Sequence, residues 1–95
     1  MKAAGKEYGG ALYSLAAEEH CEDQVLEGLR LVQGLFEQNP DYVRLLSNPA
    51  ITVKEHLALL DEAFRGSVQP YVLNFVKILC EKSAIDILPQ CISEY

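Results

Sequence analysis

Long apolar runs are missing from this chain. The longest, Tyr71 to Cys80, is broken by Asn74 and Lys77 and falls well short of the roughly 20 residues that cross a bilayer, so no membrane insertion is expected. The opening, MKAAGKEYGG, has neither the uninterrupted apolar stretch nor the small-residue cleavage site of a secretory leader, and the expected compartment is the cytoplasm. Basic residues are scarce. Eight Lys and Arg against fourteen Asp and Glu leave a net charge of −6, the wrong sign for nucleic-acid phosphates or an anionic membrane surface. Cysteines number three, an odd count that suits a reducing environment better than a disulfide scaffold.

The signatures of chemistry are equally thin. His20 and Cys21 are adjacent and His56 stands alone, whereas structural zinc wants four ligands, usually in closely spaced pairs. Cys80 and Cys91 lie in apolar runs and read as small core residues. Gly9 and Gly10 fall inside a helical pattern and precede Ala11 and Leu12, not between a strand and a helix as a phosphate loop requires. The carboxylate pairs Glu18-Glu19 and Asp61-Glu62 occupy solvated faces and helix ends. No catalytic residue, cofactor or metal is expected, and a binding role outranks an enzymatic one.

What is present is helical periodicity. Apolar residues recur at three- and four-residue steps with no strand-like alternation, and repeats, linkers and low-complexity segments are absent. Tyr8, Leu12 and Leu15 form a stripe with Ala4 and Ala11 beside it, predicting a first helix from Ala3 to Glu19. Val25, Leu29, Val32 and Phe36, widened by Leu26 and Leu35, predict a second from Glu22 to Gln38. The Asn39-Pro40 pair turns the chain, with Asn39 as cap of a short third helix to Leu46 that buries Tyr42 or Val43 with Leu45 and Leu46. After Asn48-Pro49, the spacing of Thr52 and Glu55 is that of a capping box, opening a fourth helix from Val53 to Arg65 with the stripe Val53, Leu57, Leu60 and Phe64; Gly66 stops it. Ser67 is the expected cap of a fifth helix, with Pro70 in its first turn, that runs to about Lys82. A boundary at Ser83-Ala84 leads to a sixth, capped by Asp86, with Pro89 in its first turn and the stripe Leu88, Ile92 and Tyr95. Ninety-five residues of which about half are apolar suit one core. The expected fold is all-α, a six-helix bundle forming one domain over residues 1–95.

Two places carry an excess. The fifth helix is apolar around most of its circumference; as the central helix it would be covered entirely by neighbours, or neighbours would cover Val72, Phe75, Val76 and Leu79 and leave Ile78 for an outside partner. In the first helix, each of Gly9 and Gly10 costs about 1 kcal/mol relative to alanine, which calls for a close approach by another helix. Either the first helix packs tightly on the fifth inside the bundle, or a groove between the two, walled by Tyr8, Leu12 and Leu15, receives a foreign amphipathic helix.

Three segments together resemble a known family. They are the first-helix pattern Tyr8, Ala11, Leu12, Leu15 and Ala16; the Leu45–Pro49 break, LLSNP, followed by Lys54; and the closing NFVKILCEKSAIDILPQCISEY. In order and spacing they are similar to the N-terminal domain of the delta subunit of F-type ATP synthase, whose mitochondrial counterpart is the oligomycin sensitivity conferral protein. The family often has alanine where Gly9 stands, and a glycine-arginine pair where this chain has Ser83 and Ala84. The resemblance implies a non-catalytic stator component that sits on the catalytic head, at the cytoplasmic face of the bacterial membrane. It implies binding of an alpha-subunit N-terminal helix between the first and fifth helices, and attachment to peripheral-stalk b subunits through a C-terminal part beyond Tyr95. The interface residues carried over are Tyr8, Ala11, Leu12, Leu15, Phe75, Ile78, Leu79 and Lys82. The alternative is an unrelated all-helical adaptor that binds an amphipathic partner helix.

Overall fold

Helix ends are set locally, by the chemistry of a few residues. In the computed structural model, which describes residues 3–95 and side chains from residue 5 onward, six α-helices follow one another without a strand. They are α1 (Ala3–Glu18), α2 (Glu22–Gln38), α3 (Pro40–Ser47), α4 (Val53–Phe64), α5 (Pro70–Glu81) and α6 (Leu88–Glu94), with a 3₁₀ turn at Ile85–Ile87 leading into the last. The Ala4 side chain, placed beside the first stripe by its spacing, lies outside the described residues.

The capping box forms as the spacing requires. The Thr52 hydroxyl accepts from the Glu55 amide at 3.2 Å and the Glu55 carboxylate accepts from the Thr52 amide at 3.2 Å, so two exposed donors of α4 are satisfied. Other expected caps are replaced. The Asn39 side chain makes no cap bond to α3 and donates backwards to the Leu35 carbonyl at 2.8 Å. Gln69, not Ser67, caps α5, its side-chain oxygen accepting from the Tyr71 amide at 2.6 Å. Asp86 caps nothing; it lies within the 3₁₀ turn, and α6 starts at Leu88 with no side-chain cap.

Two helices close with a residue in the left-handed region. After α1, His20 (φ 57°) lets the Cys21 amide donate to the Ala16 carbonyl at 2.9 Å and its own amide donate to the Ala17 carbonyl at 3.2 Å. After α5, Ser83 (φ 54°) does the same, with Ala84 donating to Leu79 at 2.7 Å and Ser83 to Cys80 at 3.0 Å. Both are Schellman closures. Gly66 (φ 82°) follows Arg65 (φ −59°, ψ 127°) in a type II turn, closed by the Ser67 amide donating to the Phe64 carbonyl at 2.8 Å.

The core is built around α5. Val72, Leu73, Phe75, Val76, Leu79 and Cys80 are all buried, against Val25, Leu29 and Val32 of α2 and Leu60 and Phe64 of α4. Gly28 of α2 is buried where a Cβ would meet Val72 Cγ2 at 2.9 Å, which lets α2 cross α5 closely. The stripe of α4 is turned from the expected one: Val53 is 47% exposed while His56 is 6% exposed. With its cap fixed at Thr52, α4 presents His56, Leu60 and Phe64 inward at steps of four, and Val53 lies at the rim.

The paired glycines of α1 do not share one role. A Cβ on Gly9 would run into the backbone carbonyl of Cys91, so Gly9 is where α1 and α6 come into contact, and Gly5 on the same face would meet Gln90 Cγ at 2.6 Å. Gly10 faces open space. The close approach anticipated for α1 is therefore real, but the helix that comes close is the chain's own α6, which fills the side at Gly9.

Candidate partner-helix surface

Helical spacing separates two faces of α1. Gly5, Gly9, Leu12 and Ala16 form the buried face. Tyr8, Ala11 and Leu15, at steps of three and four, form the adjacent one, with Ala11 exposed and Tyr8 and Leu15 half-buried. On α5 the corresponding line is Tyr71, Phe75, Ile78 and Lys82. Ile78 is 42% exposed on a helix whose remaining large aliphatic residues are buried, and Lys82 at the C-cap is exposed. The two helices touch.

The eight residues singled out from the sequence thus divide. Ala11, Ile78 and Lys82 are exposed and Tyr8 and Leu15 are half-buried, so these five offer area to a partner. Leu12, Phe75 and Leu79 are buried in the core. They form the floor beneath the surface and are not displayed on it. Tyr71, half-buried and seven residues before Ile78 on the same line of α5, is not among the eight, and that spacing is the signal in the sequence that places it on this face.

The surroundings of Ile78 are electrostatically simple. Lys77, the next residue, is turned toward α4, where its ammonium lies 2.6 Å from Asp61 Oδ1. That hydrogen bond holds the Asp61 carboxyl below its ordinary value, with Arg65 (2.6 Å) acting in the same direction against desolvation. Lys77 is therefore spent within the fold, and Lys82 is the basic group left on this face of α5.

Among the described residues no group of three or more His, Cys, Asp or Glu is placed to hold a metal ion. A cleft of about 460 Å³ between the end of α3, the start of α4 and the end of α5 contains His56, Cys80 and Asp86. Burial pushes the Cys80 thiol up, away from the reactive thiolate, and the His56 Nε2 is buried without a hydrogen-bond partner. Burial likewise raises Cys91. Among the described residues no helix is long and apolar enough to cross a membrane.

The chain is similar to known proteins over nearly its full length. The family described as "ATP synthase delta (OSCP) subunit" matches residues 4–95. Relatives named "ATP synthase subunit delta" include that of Bacillus cereus (strain B4264), 37% identical over 90 residues that cover 95% of this chain and 49% of that protein. The protein of that name from Bacillus mycoides (strain KBAB4) gives the same figures, 37% over 90 residues, 95% and 49%. That from Lachnoclostridium phytofermentans is 33% identical over 85 residues, covering 90% of this chain and 47% of its own length. The chain spans about half the length of the curated relatives it matches.

Proposed function

Because the chain belongs to the ATP synthase delta (OSCP) subunit family, we propose that it is a non-catalytic stator domain of a proton-translocating F-type synthase, holding the N-terminal helix of an alpha subunit against α1 and α5. The observation that carries the reading is Ile78, 42% exposed on the central helix of the core, with the small exposed Ala11 on α1, a helix that touches α5. An amphipathic helix laid there covers Ile78 with its own apolar stripe and finds little side-chain bulk at Ala11 to hold it off.

The task is mechanical. A rotor turning inside the catalytic head drags the head with it unless a stator grips both the head and the membrane-anchored stalk. This domain supplies the grip on the head, and the part of the relatives' length that this chain does not span joins the b subunits of the stalk. The assembly lies on the cytoplasmic face of the membrane as a peripheral complex. A contact of ordinary size, roughly 1,000–2,000 Å², suffices, with affinity set by a few anchors and not by area.

The test is a titration of the isotopically labelled chain with a peptide from the alpha-subunit N-terminus of the same organism. Amide shifts concentrated on α1 and α5 are expected, and their absence at near-millimolar peptide overturns the reading. Ala11→Asp and Ile78→Asp, both at exposed positions, are expected to abolish the shifts while leaving the far-UV helix signal intact. Unfolding of either variant would place that residue in the core and remove it from the surface.

A further inference from the structure

The apolar strip of this surface has a largely acidic border. On α1, Glu7, Ala11 and Glu18 fall on one line at steps of four and seven, so the strip is edged there by two exposed carboxylates. On α5, Asn74, Ile78 and Glu81 form the outer line, and Glu81 is exposed. Among the described residues, Glu7, Glu18 and Glu81 take part in no ion pair. On the α5 side of this rim, among the described residues, the basic group outside an ion pair is Lys82, since Lys77 is engaged by Asp61. Carboxylates that stabilise nothing inside the fold, on both sides of an uncovered apolar strip, are placed to act on whatever covers it.

We propose that the helix received by α1 and α5 carries basic residues along both flanks of its apolar stripe. The inference rests on the reading above that this face takes a partner helix, and goes beyond it by fixing the partner's charge pattern. A helix seated over Ala11 and Ile78 directs one flank toward Glu7 and Glu18 and the other toward Glu81. Lysine or arginine there lays its aliphatic stem along the edge of the strip and leaves its charge beside the carboxylate at the wet rim. An acidic-flanked helix with the same stripe meets like charges on both sides. A second copy of this chain, at net charge −6, carries the wrong sign. Rim charges of this kind act mainly by steering the encounter and setting register, and salt screens them.

Two synthetic amphipathic peptides with one identical isoleucine–leucine stripe separate the possibilities, one flanked by lysine and arginine and the other by glutamate. Each is titrated into the chain by fluorescence anisotropy at low and at high ionic strength. The basic peptide is expected to bind about tenfold more tightly at low salt, with the gap shrinking as salt is raised. The variant Glu7→Lys/Glu18→Lys/Glu81→Lys, altered only at exposed positions, is expected to narrow or invert the gap at unchanged helix content. Equal affinities for the two peptides, or a preference for the acidic one, overturn the inference and leave the helix-receiving role standing. Failure of both peptides to bind at near-millimolar concentration overturns the two together.

Discussion

At the scale of single residues, Gly9 and Gly10 are adjacent and chemically identical, yet they should respond in opposite directions to the same substitution. Gly9→Ala drives a methyl into the Cys91 carbonyl, a backbone atom that cannot rotate away, so α1 and α6 must separate. A loss of about 1–3 kcal/mol is expected, the usual cost of overpacking. Gly10→Ala adds a methyl in open space and removes a flexible residue from a helix interior, for a gain of about 0.5–1 kcal/mol. Urea unfolding of the two variants checks both signs at once. The sequence alone announced that something approaches α1 closely, because glycine inside a helix is otherwise a defect. It did not separate the two glycines and it pointed to the fifth helix where α6 is the one that comes close, since Gly9 and Cys91 lie far apart in the chain and only the folded packing brings them together. The same holds for the surface residues: periodicity placed Phe75, Ile78 and Leu79 on apolar helix faces, and only the positions of the neighbouring helices left Ile78 exposed while burying the other two.

At the scale of elements, boundaries written in local chemistry were legible and those decided by tertiary contacts were not. The Thr52–Glu55 capping box and the two Asn-Pro breaks act within a few residues, and α3 and α4 begin where they indicate. Gln69 caps α5 although glutamine is an unusual cap; its amide nitrogen lies 3.7 Å from Cys21 Sγ, a long-range contact that helps orient the side chain. The end of α5 offers a test. Ser83 sits at φ 54° in the Schellman position where glycine carries no penalty, so Ser83→Gly is expected to raise stability by about 0.5–1 kcal/mol, visible as a higher melting temperature. A second test concerns the tie between α4 and α5. Asp61 is held below its ordinary value first by the Lys77 hydrogen bond. A depressed carboxylate contributes stability that is present above its unfolded value and is lost as pH falls through the folded one. Asp61→Asn is therefore expected to be less stable than the parent at neutral pH, and thermal scans on a descending pH series should show the deficit vanish in acid.

At the scale of the whole molecule, the acidic and alkaline limits of stability have different origins. Acid weakens one tie between α4 and α5, whereas alkali acts on groups spread through the bundle. Burial raises Tyr42 to about 12 and also raises Cys80, Cys91 and Tyr95 above their ordinary values. These groups pin separate junctions: the Tyr42 hydroxyl donates to the Leu59 carbonyl at 3.0 Å between α3 and α4, and the Tyr95 hydroxyl donates to the Glu22 carbonyl at 2.7 Å, joining the end of the chain to α2. Each holds its proton more tightly when folded than when unfolded. Their contributions are complete below the unfolded values and disappear as pH rises through the folded ones. The melting temperature is accordingly expected to fall through the range from about pH 9 to about pH 12, the span between an unfolded thiol and the buried Tyr42 hydroxyl. Tyr42→Phe keeps the ring against Phe36 and deletes the titrating proton, so its decline should be shallower, although it begins from a lower stability because the Leu59 carbonyl loses its donor. A parent melting temperature that stays flat to about pH 12 would mean that these four groups are solvated, and the packing of α3 on α4 and of the chain end on α2 would have to be redrawn.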